Sequence, residues 1–154
     1  MLETFDAVKE EISNSVNRLD STQTFHVIMF DKGAPLEKKP TALTRATDAN
    51  KRALAEFLSK TNPGITTDPI KAVNRAFDVL ARADRKPGKI IYLLTDGPFG
   101  DNKAVIAAVR KRNIMLDVTI NTILCAWKPP EAVKIMTQIA DENAGHYRYV
   151  NPNE

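Results

Sequence analysis

Cysteine is almost absent from this chain. Cys125 stands alone among 154 residues, which excludes an intrachain disulfide and any cysteine-cluster zinc site. It lies in the apolar stretch Ile123-Leu124-Cys125-Ala126, so a buried, inert thiol is expected. Histidine is nearly as scarce: His26 and His146 are far apart and neither stands in a metal or triad spacing, which points to structural roles. No GxxxxGKS/T or GxGxxG follows a strand pattern, so a phosphate cradle is missing. No run approaches the ~18 apolar residues of a membrane span. Charge of one sign is not concentrated either. The formal net charge is +3, but the basic residues come singly or in pairs (Lys38-Lys39, Lys51-Arg52, Lys111-Arg112) with acids between them. Solvated helix faces explain this better than a nucleic-acid patch, so no nucleic-acid partner is expected. The first residues are amphipathic and carry Glu3, Asp6, Glu10, Glu11 and Asp20, unlike a signal peptide. Taken as given, the chain is expected in the cytoplasm; an upstream segment would reopen that question.

What is present is the composition of an ordinary globular domain, 43% apolar and 27% charged. A single domain over residues 1–154 is expected, burying roughly two thirds of its unfolded surface. Leu2, Phe5, Val8, Ile12, Val16 and Leu19 form one apolar stripe on a helix that starts almost at the first residue. The run from Phe25 to Phe30 reads as a buried strand, ended by Asp31-Lys32-Gly33-Ala34-Pro35. A polar loop with a short edge strand near Thr41–Leu43 leads to a helix capped by Asp48. Asn62-Pro63-Gly64 breaks the chain, and Asp68-Pro69 is an N-cap followed by proline at the first helical position.

The helix that follows carries Ile70, Val73, Phe77 and Leu80 on one side and ends before Lys86-Pro87-Gly88. Ile90–Leu94 is the strongest strand, too uniformly apolar for an edge. Then come a helix over Lys103–Lys111, a strand over Asp117–Cys125, a helix opened by Pro130 and stopped by Asn143-Ala144-Gly145, and a last strand over His146–Val150. Strands separated by helices predict an α/β, Rossmann-like, mostly parallel sheet with helices on both faces.

In such sheets ligands bind beyond the carboxyl ends of the strands. Two loops there carry oxygen ligands: Gly64-Ile65-Thr66-Thr67-Asp68, entering a helix, and Leu93-Leu94-Thr95-Asp96-Gly97, leaving the strongest strand. Hydroxyls beside a carboxylate suit a hard cation such as Mg²⁺. Taken singly, the blander reading is better for each: Thr67 and Asp68 cap a helix, and Asp96-Gly97 makes a turn. Their combination favours a metal. Asp141 and Glu142 are expected to be solvated, and Trp127 is expected to anchor its loop rather than bind a partner.

These loops and their surroundings resemble the von Willebrand factor type A family. "FHVIMFDK" is similar to its second strand and "KIIYLLTDG" to its fourth. "NPGITTDPIKAVNRAF" resembles its threonine loop and following helix, and "ADENAGHYRYV" its ending. "ATDANKRALAEFL" resembles a segment of bacterial members. The resemblance spans essentially the whole chain, and its most specific element is the pairing of the threonine loop with LLTDG. It implies a non-enzymatic protein-interaction module of adhesion or scaffold type. It also implies a metal-ion-dependent adhesion site for Mg²⁺ or Mn²⁺, completed in the family by an acidic side chain of a protein partner. Carried over, Thr67 matches the family's metal-binding threonine (Thr66 if the loop is registered one residue earlier), and Asp96 matches its aspartate.

The family's DxSxS motif, and the central first strand before it, have no counterpart in the sequence. In bacterial members the motif often reads DxSGSM with a helix directly after it, so Met1 is expected to correspond to that methionine, with the chain started one strand late; translation upstream in frame checks this. A missing central strand removes hydrogen bonds of ~0.5–1.5 kcal/mol each and buried side chains of ~1.5–3 kcal/mol each. That rivals the ~5–15 kcal/mol holding a domain together. The inner strands are therefore expected to be left open and aggregation-prone, to close up on each other, or to accept a partner's strand. Metal binding is expected to be weak or absent. Two alternatives stay open. One is a degenerate fragment of the same fold without metal. The other is a receiver-like or flavodoxin-like phosphoacceptor with Asp96 as the reactive carboxylate; it would need an early acid, where Asp31 is the one available, and a late lysine, which Lys128 could supply.

Overall fold

A computed structural model describes residues 2–31, 33–62, 68–83 and 88–153. Helix α1 (Leu2–Asn17) comes first, as its apolar stripe predicts, and Val8, Ile12 and Val16 are buried along it. The next segment departs from expectation. Instead of one strand over Phe25–Phe30 there are two short pieces, β1 (Thr24–Phe25) and β2 (Ile28–Met29). Each pairs antiparallel with a piece of the returning chain: β2 with β3 (Leu36–Glu37), and β1 with β4 (Thr44–Arg45). Met29 faces Leu36 and Phe25 faces Thr44. The returning chain spends Lys38–Leu43 opposite only His26 and Val27, so it bulges outward and splits the ladder. The edge strand expected near Thr41–Leu43 consequently lies slightly later, at β4.

Helix α2 (Asp48–Ser59) is capped one residue earlier than expected, by Thr47, whose side chain accepts from the Asn50 N–H. Asp48 becomes the first helical residue, where its charge complements the helix dipole. Helix α3 (Ile70–Ala81) begins after Pro69. The Asp68 carboxylate accepts from the Ile70 N–H at 3.1 Å, so it still satisfies an orphan donor of the first turn. The breaker at Pro63-Gly64, the loop residues Thr66 and Thr67, and Lys86-Pro87 lie outside the described residues.

The second half follows its sequence pattern closely. Strand β5 (Ile90–Thr95), helix α4 (Asn102–Arg112), strand β6 (Thr119–Cys125), helix α5 (Pro130–Glu142) and strand β7 (Tyr147–Val150) alternate, and β5-β6-β7 form a parallel sheet. Ile91 pairs with Ile120, and Leu93 with Thr122. Alternation along β5 and β6 sends side chains to two faces. Leu93 and Ile120 join Val73 and Phe77 of α3, Val105 and Val109 of α4, and Ile135, Met136 and Ile139 of α5. Ile123 and Cys125 point the other way, into a second core with α1, Leu54 and Leu58 of α2, Phe25 and Val27. Helices thus cover both faces, which gives the α/β, Rossmann-like arrangement expected.

Among the described residues β5 forms no ladder with β1 or β2, so the inner strands do not close up on each other. On the α1 side of the sheet, Ile90 and Tyr92 remain 43% and 52% exposed. The strand that looked too apolar for an edge is, among the described residues, an edge.

Candidate functional site

The carboxyl ends of β5 and β6 form a rim at which two loops meet. The loop after β5 begins with Thr95, a buried residue whose Oγ1 donates to the Gly97 carbonyl at 3.0 Å and lies 3.3 Å from the Gly97 N–H. This threonine is spent on shaping the turn. Asp96 follows it, half-buried, and no hydrogen bond or ion pair occupies its carboxylate among the described residues. The turn expected at Asp96-Gly97 is therefore present, but Thr95 makes it and Asp96 does not.

The loop after β6 crosses toward the same place. Ala126 has φ 67° and the Trp127 N–H donates to the Cys125 carbonyl at 2.8 Å, a three-residue turn strained for any residue with a Cβ. Its neighbours hold it there: the Ala126 N–H donates to the Val150 carbonyl, and Tyr149 Oη donates to the Ala126 carbonyl at 2.9 Å. The strained turn throws the Trp127 indole over Gly97, where a Cβ would stand 3.4 Å from the ring. The indole anchors the loop, as expected, yet stays 59% exposed. Sequence reasoning did not join Gly97 to Trp127; a glycine directly after the candidate aspartate was the available signal.

Beside this rim lies a cleft of about 370 Å³, lined by Asp68, Pro69 and Ile70 at the start of α3 and by Gly100, Asp101, Ala104 and Val105 at the start of α4. Asp101 is the N-cap of α4, accepting from the Ala104 N–H at 3.0 Å. The segment leading out of the threonine loop and the loop that contains Asp96 thus wall one cleft. Thr67 and Thr66 themselves are not described, so their distance from Asp96 is not part of this geometry. Among the described residues no group of three or more His, Cys, Asp or Glu side chains is placed to hold a metal ion.

The other candidate residues have structural surroundings. Cys125 is fully buried, and burial pushes its thiol up to about 12, with the Glu11 and Asp96 charges adding to the effect. Lys128, which a phosphoacceptor would need at its site, sits 4.8 Å over the Tyr149 ring. Asp141 is exposed as expected, whereas Glu142 is held by Arg110 in a two-pronged ion pair of 2.5 and 2.9 Å. His146 is exposed. His26 is buried between the two halves of the split ladder, with Nε2 3.8 Å from Glu37 Oε1. Arg75 Nε approaches that same oxygen to 2.5 Å, an ion pair not aligned as a hydrogen bond.

No protein-family model matches the sequence, and no curated protein matches it. Solved structures do. A von Willebrand factor type A protein from Catenulispora acidiphila superposes on 98% of this chain with a TM-score of 0.80 at 21% identity. This chain spans 35% of that protein's length. The manganese-loaded TRAP protein of Plasmodium vivax gives 0.73 over 95% of this chain and 61% of its own, at 18% identity. An aerotolerance-related membrane protein from Bacteroides fragilis gives 0.71 over 96% and 81%, at 19% identity. The chain has the von Willebrand factor type A fold, shared with bacterial proteins among others.

Proposed function

We propose that this chain is a non-enzymatic protein-interaction module of adhesion or scaffold type, and that the rim at the carboxyl end of β5 is its binding face. The observation that carries the reading is the Asp96 carboxylate. It is half-buried at a strand's carboxyl end, without a partner among the described residues, and flanked by an exposed indole. A carboxylate so placed is available to a cation or to a partner's donor, and an exposed tryptophan beside it is the residue type that most often anchors a protein interface.

The cation is Mg²⁺ or Mn²⁺, and the manganese-loaded structure of the same fold supports that choice. Asp96 and Thr67 (Thr66 in the alternative register) would hold it. The donor chemistry fits, since Mg²⁺ is commonly held by one or two carboxylates while keeping several waters. With so few protein oxygens the affinity is weak, on the order of millimolar or poorer. The bound ion would supply positive charge to which an acidic side chain of the partner is drawn; Trp127 would supply apolar contact next to it.

The test is a Mn²⁺ titration followed by the emission of Trp127, the chain's one tryptophan. Weak, saturable quenching in the native chain that disappears in Asp96→Ala supports the reading. Identical responses in both proteins would remove the metal and leave the degenerate fold without it. Stable labelling of Asp96 by an acyl phosphate would instead make it a phosphoacceptor.

A further inference from the structure

At the opposite end of the sheet from Asp96, the turn between α4 and β6 exposes three consecutive large apolar residues. Ile114, Met115 and Leu116 are 75%, 80% and 62% exposed, more than any other large hydrophobic among the described residues, Trp127 following at 59%. Since β5 and β6 run parallel, this turn lies about 20 Å from the rim, the length of a six-residue strand. Nothing in the proposed function uses it.

The turn is held firmly rather than left loose. The Leu116 N–H donates to the Asn113 carbonyl at 3.0 Å, closing it. The buried Asn113 side chain then clamps its far end, donating to the Val118 carbonyl at 2.7 Å and accepting from the Val118 N–H at 3.2 Å. Leu116 itself has φ 54°, in the left-handed region where asparagine or glycine is the comfortable occupant and a leucine is strained. A strained backbone that displays an apolar side chain to water, at a turn that could have used a polar residue, points to a use for that side chain.

We propose that the Ile114-Met115-Leu116 turn inserts into the headgroup region of a lipid bilayer, docking the domain peripherally on a membrane surface. The shape favours lipid over a protein. All three consecutive side chains of this tight turn are more than 60% exposed, so none is sheltered by the others and a firm, flat partner reaches only part of them. Fluid acyl chains surround all three.

The charges around the turn agree, modestly. Lys111, exposed in the last turn of α4, has no ion pair among the described residues. Arg110 and Arg112 are paired with Glu142 and Asp78, and Lys89 and Asp117 lie at the adjoining strand ends. The cations exceed the acids by one in this group, so attraction to anionic lipid is small and the apolar side chains supply most of the binding. No helix among the described residues is long and apolar enough to cross a membrane, so the contact is superficial.

Flotation of the whole chain with vesicles of phosphatidylcholine, with and without phosphatidylserine, tests this. The native chain is expected to float with both, somewhat better with phosphatidylserine and with only slight loss in added salt. Replacing Ile114 or Met115 by Ser should weaken partitioning about tenfold each. The triple variant Ile114→Ser, Met115→Ser, Leu116→Asn should stay unbound with unchanged circular dichroism, because asparagine suits the left-handed position.

A Met115→Cys variant carrying an environment-sensitive fluorophore gives a second readout, since buried Cys125 escapes labelling. Its emission should shift to the blue on vesicles while that of Trp127 at the far rim does not. A native chain that floats with neither vesicle, or a triple variant that floats as well as the native chain, overturns the proposal. So does concentration-dependent self-association, without flotation, that the triple variant abolishes; the turn would then join copies of the chain. None of these outcomes depends on Asp96, whose Mn²⁺ response fails or succeeds separately.

Discussion

Asn113 Nδ2 donates to Asn143 Oδ1 across 2.7 Å, and both side chains are buried. Each asparagine is the C-cap of its helix, Asn113 of α4 and Asn143 of α5. The bond therefore locks two helix ends together beneath the start of β6. Asn113 also holds both backbone groups of Val118, and Asn143 Nδ2 donates to the Ile139 carbonyl at 2.7 Å. Nearly every polar atom of the two amides is spent, and little in the network can be removed without orphaning a partner.

Asn113→Ala should consequently destabilise the domain by roughly 2–3 kcal/mol, because it leaves the buried Val118 groups and Asn143 Oδ1 unsatisfied. Asn113→Asp keeps the acceptor for the Val118 N–H but sets a buried carboxylate oxygen against the Val118 carbonyl and Asn143 Oδ1, and should cost at least as much. Urea unfolding checks both; a loss within experimental error for the alanine variant would show that water replaces the amide.

Among the described glycines, Gly145 is the one least tolerant of a side chain. A Cβ there would stand 1.8 Å from the Ile120 carbonyl oxygen, and that oxygen belongs to the central strand β6. Gly145→Ala should cost about 3 kcal/mol or more, since backbone rather than a flexible side chain must move. Gly33, with open space around its Cβ position, is the control: Gly33→Ala should be nearly neutral in the same melt.

His26 ties stability to pH. Burial, the larger cause, holds its imidazole below the ordinary value near 6.5; the Glu37 charge opposes this, while Arg75 and Lys38 add to it. The folded state prefers the neutral ring, so its contribution is complete above about pH 6.5. As pH falls below that value the unfolded chain takes up the proton first, and stability drops until the folded ring also titrates. Thermal melts from neutral pH down to pH 5 should show the decline, and His26→Gln should flatten it. A variant with the same slope as the native chain would assign the decline to other groups.

Cys125 should report on unfolding. Its thiol is buried and pushed up to about 12, so at mild alkaline pH it is neither accessible nor a thiolate. A disulfide reagent should fail to label it in the native chain and label it fully in urea. Prompt native labelling would mean that β6 opens locally.

The exposed apolar edge of β5 should drive association. Tyr92→Lys places a charge where an incoming strand would lie, and should lower light scattering at high protein concentration with little effect on the melt, since Tyr92 is 52% exposed. Scattering unchanged by the substitution would move the sticky surface elsewhere, the turn at Ile114–Leu116 being the first alternative.

The sequence by itself determined the elements whose signal is local. Leu54 and Leu58, Val73 and Phe77, Val105 and Val109 recur at helical spacing and are buried on helices. The apolar run from Ile90, the alternation after Asp117 and the Asn143-Ala144-Gly145 stop mark strands and a helix end that the fold contains. Cys125 among apolar neighbours was legible as buried for the same reason. The tertiary structure decided whatever depends on residues distant in the chain. Val27 meets the returning chain only through a bulge, so the run from Phe25 to Phe30 is split although its hydropathy is continuous. Asn113 finds Asn143 thirty residues on, Trp127 covers Gly97, and Gly145 fits beneath Ile120. A periodic pattern records which face of an element is apolar; it carries no information about the partner that face meets, because register and contact are set when the elements pack.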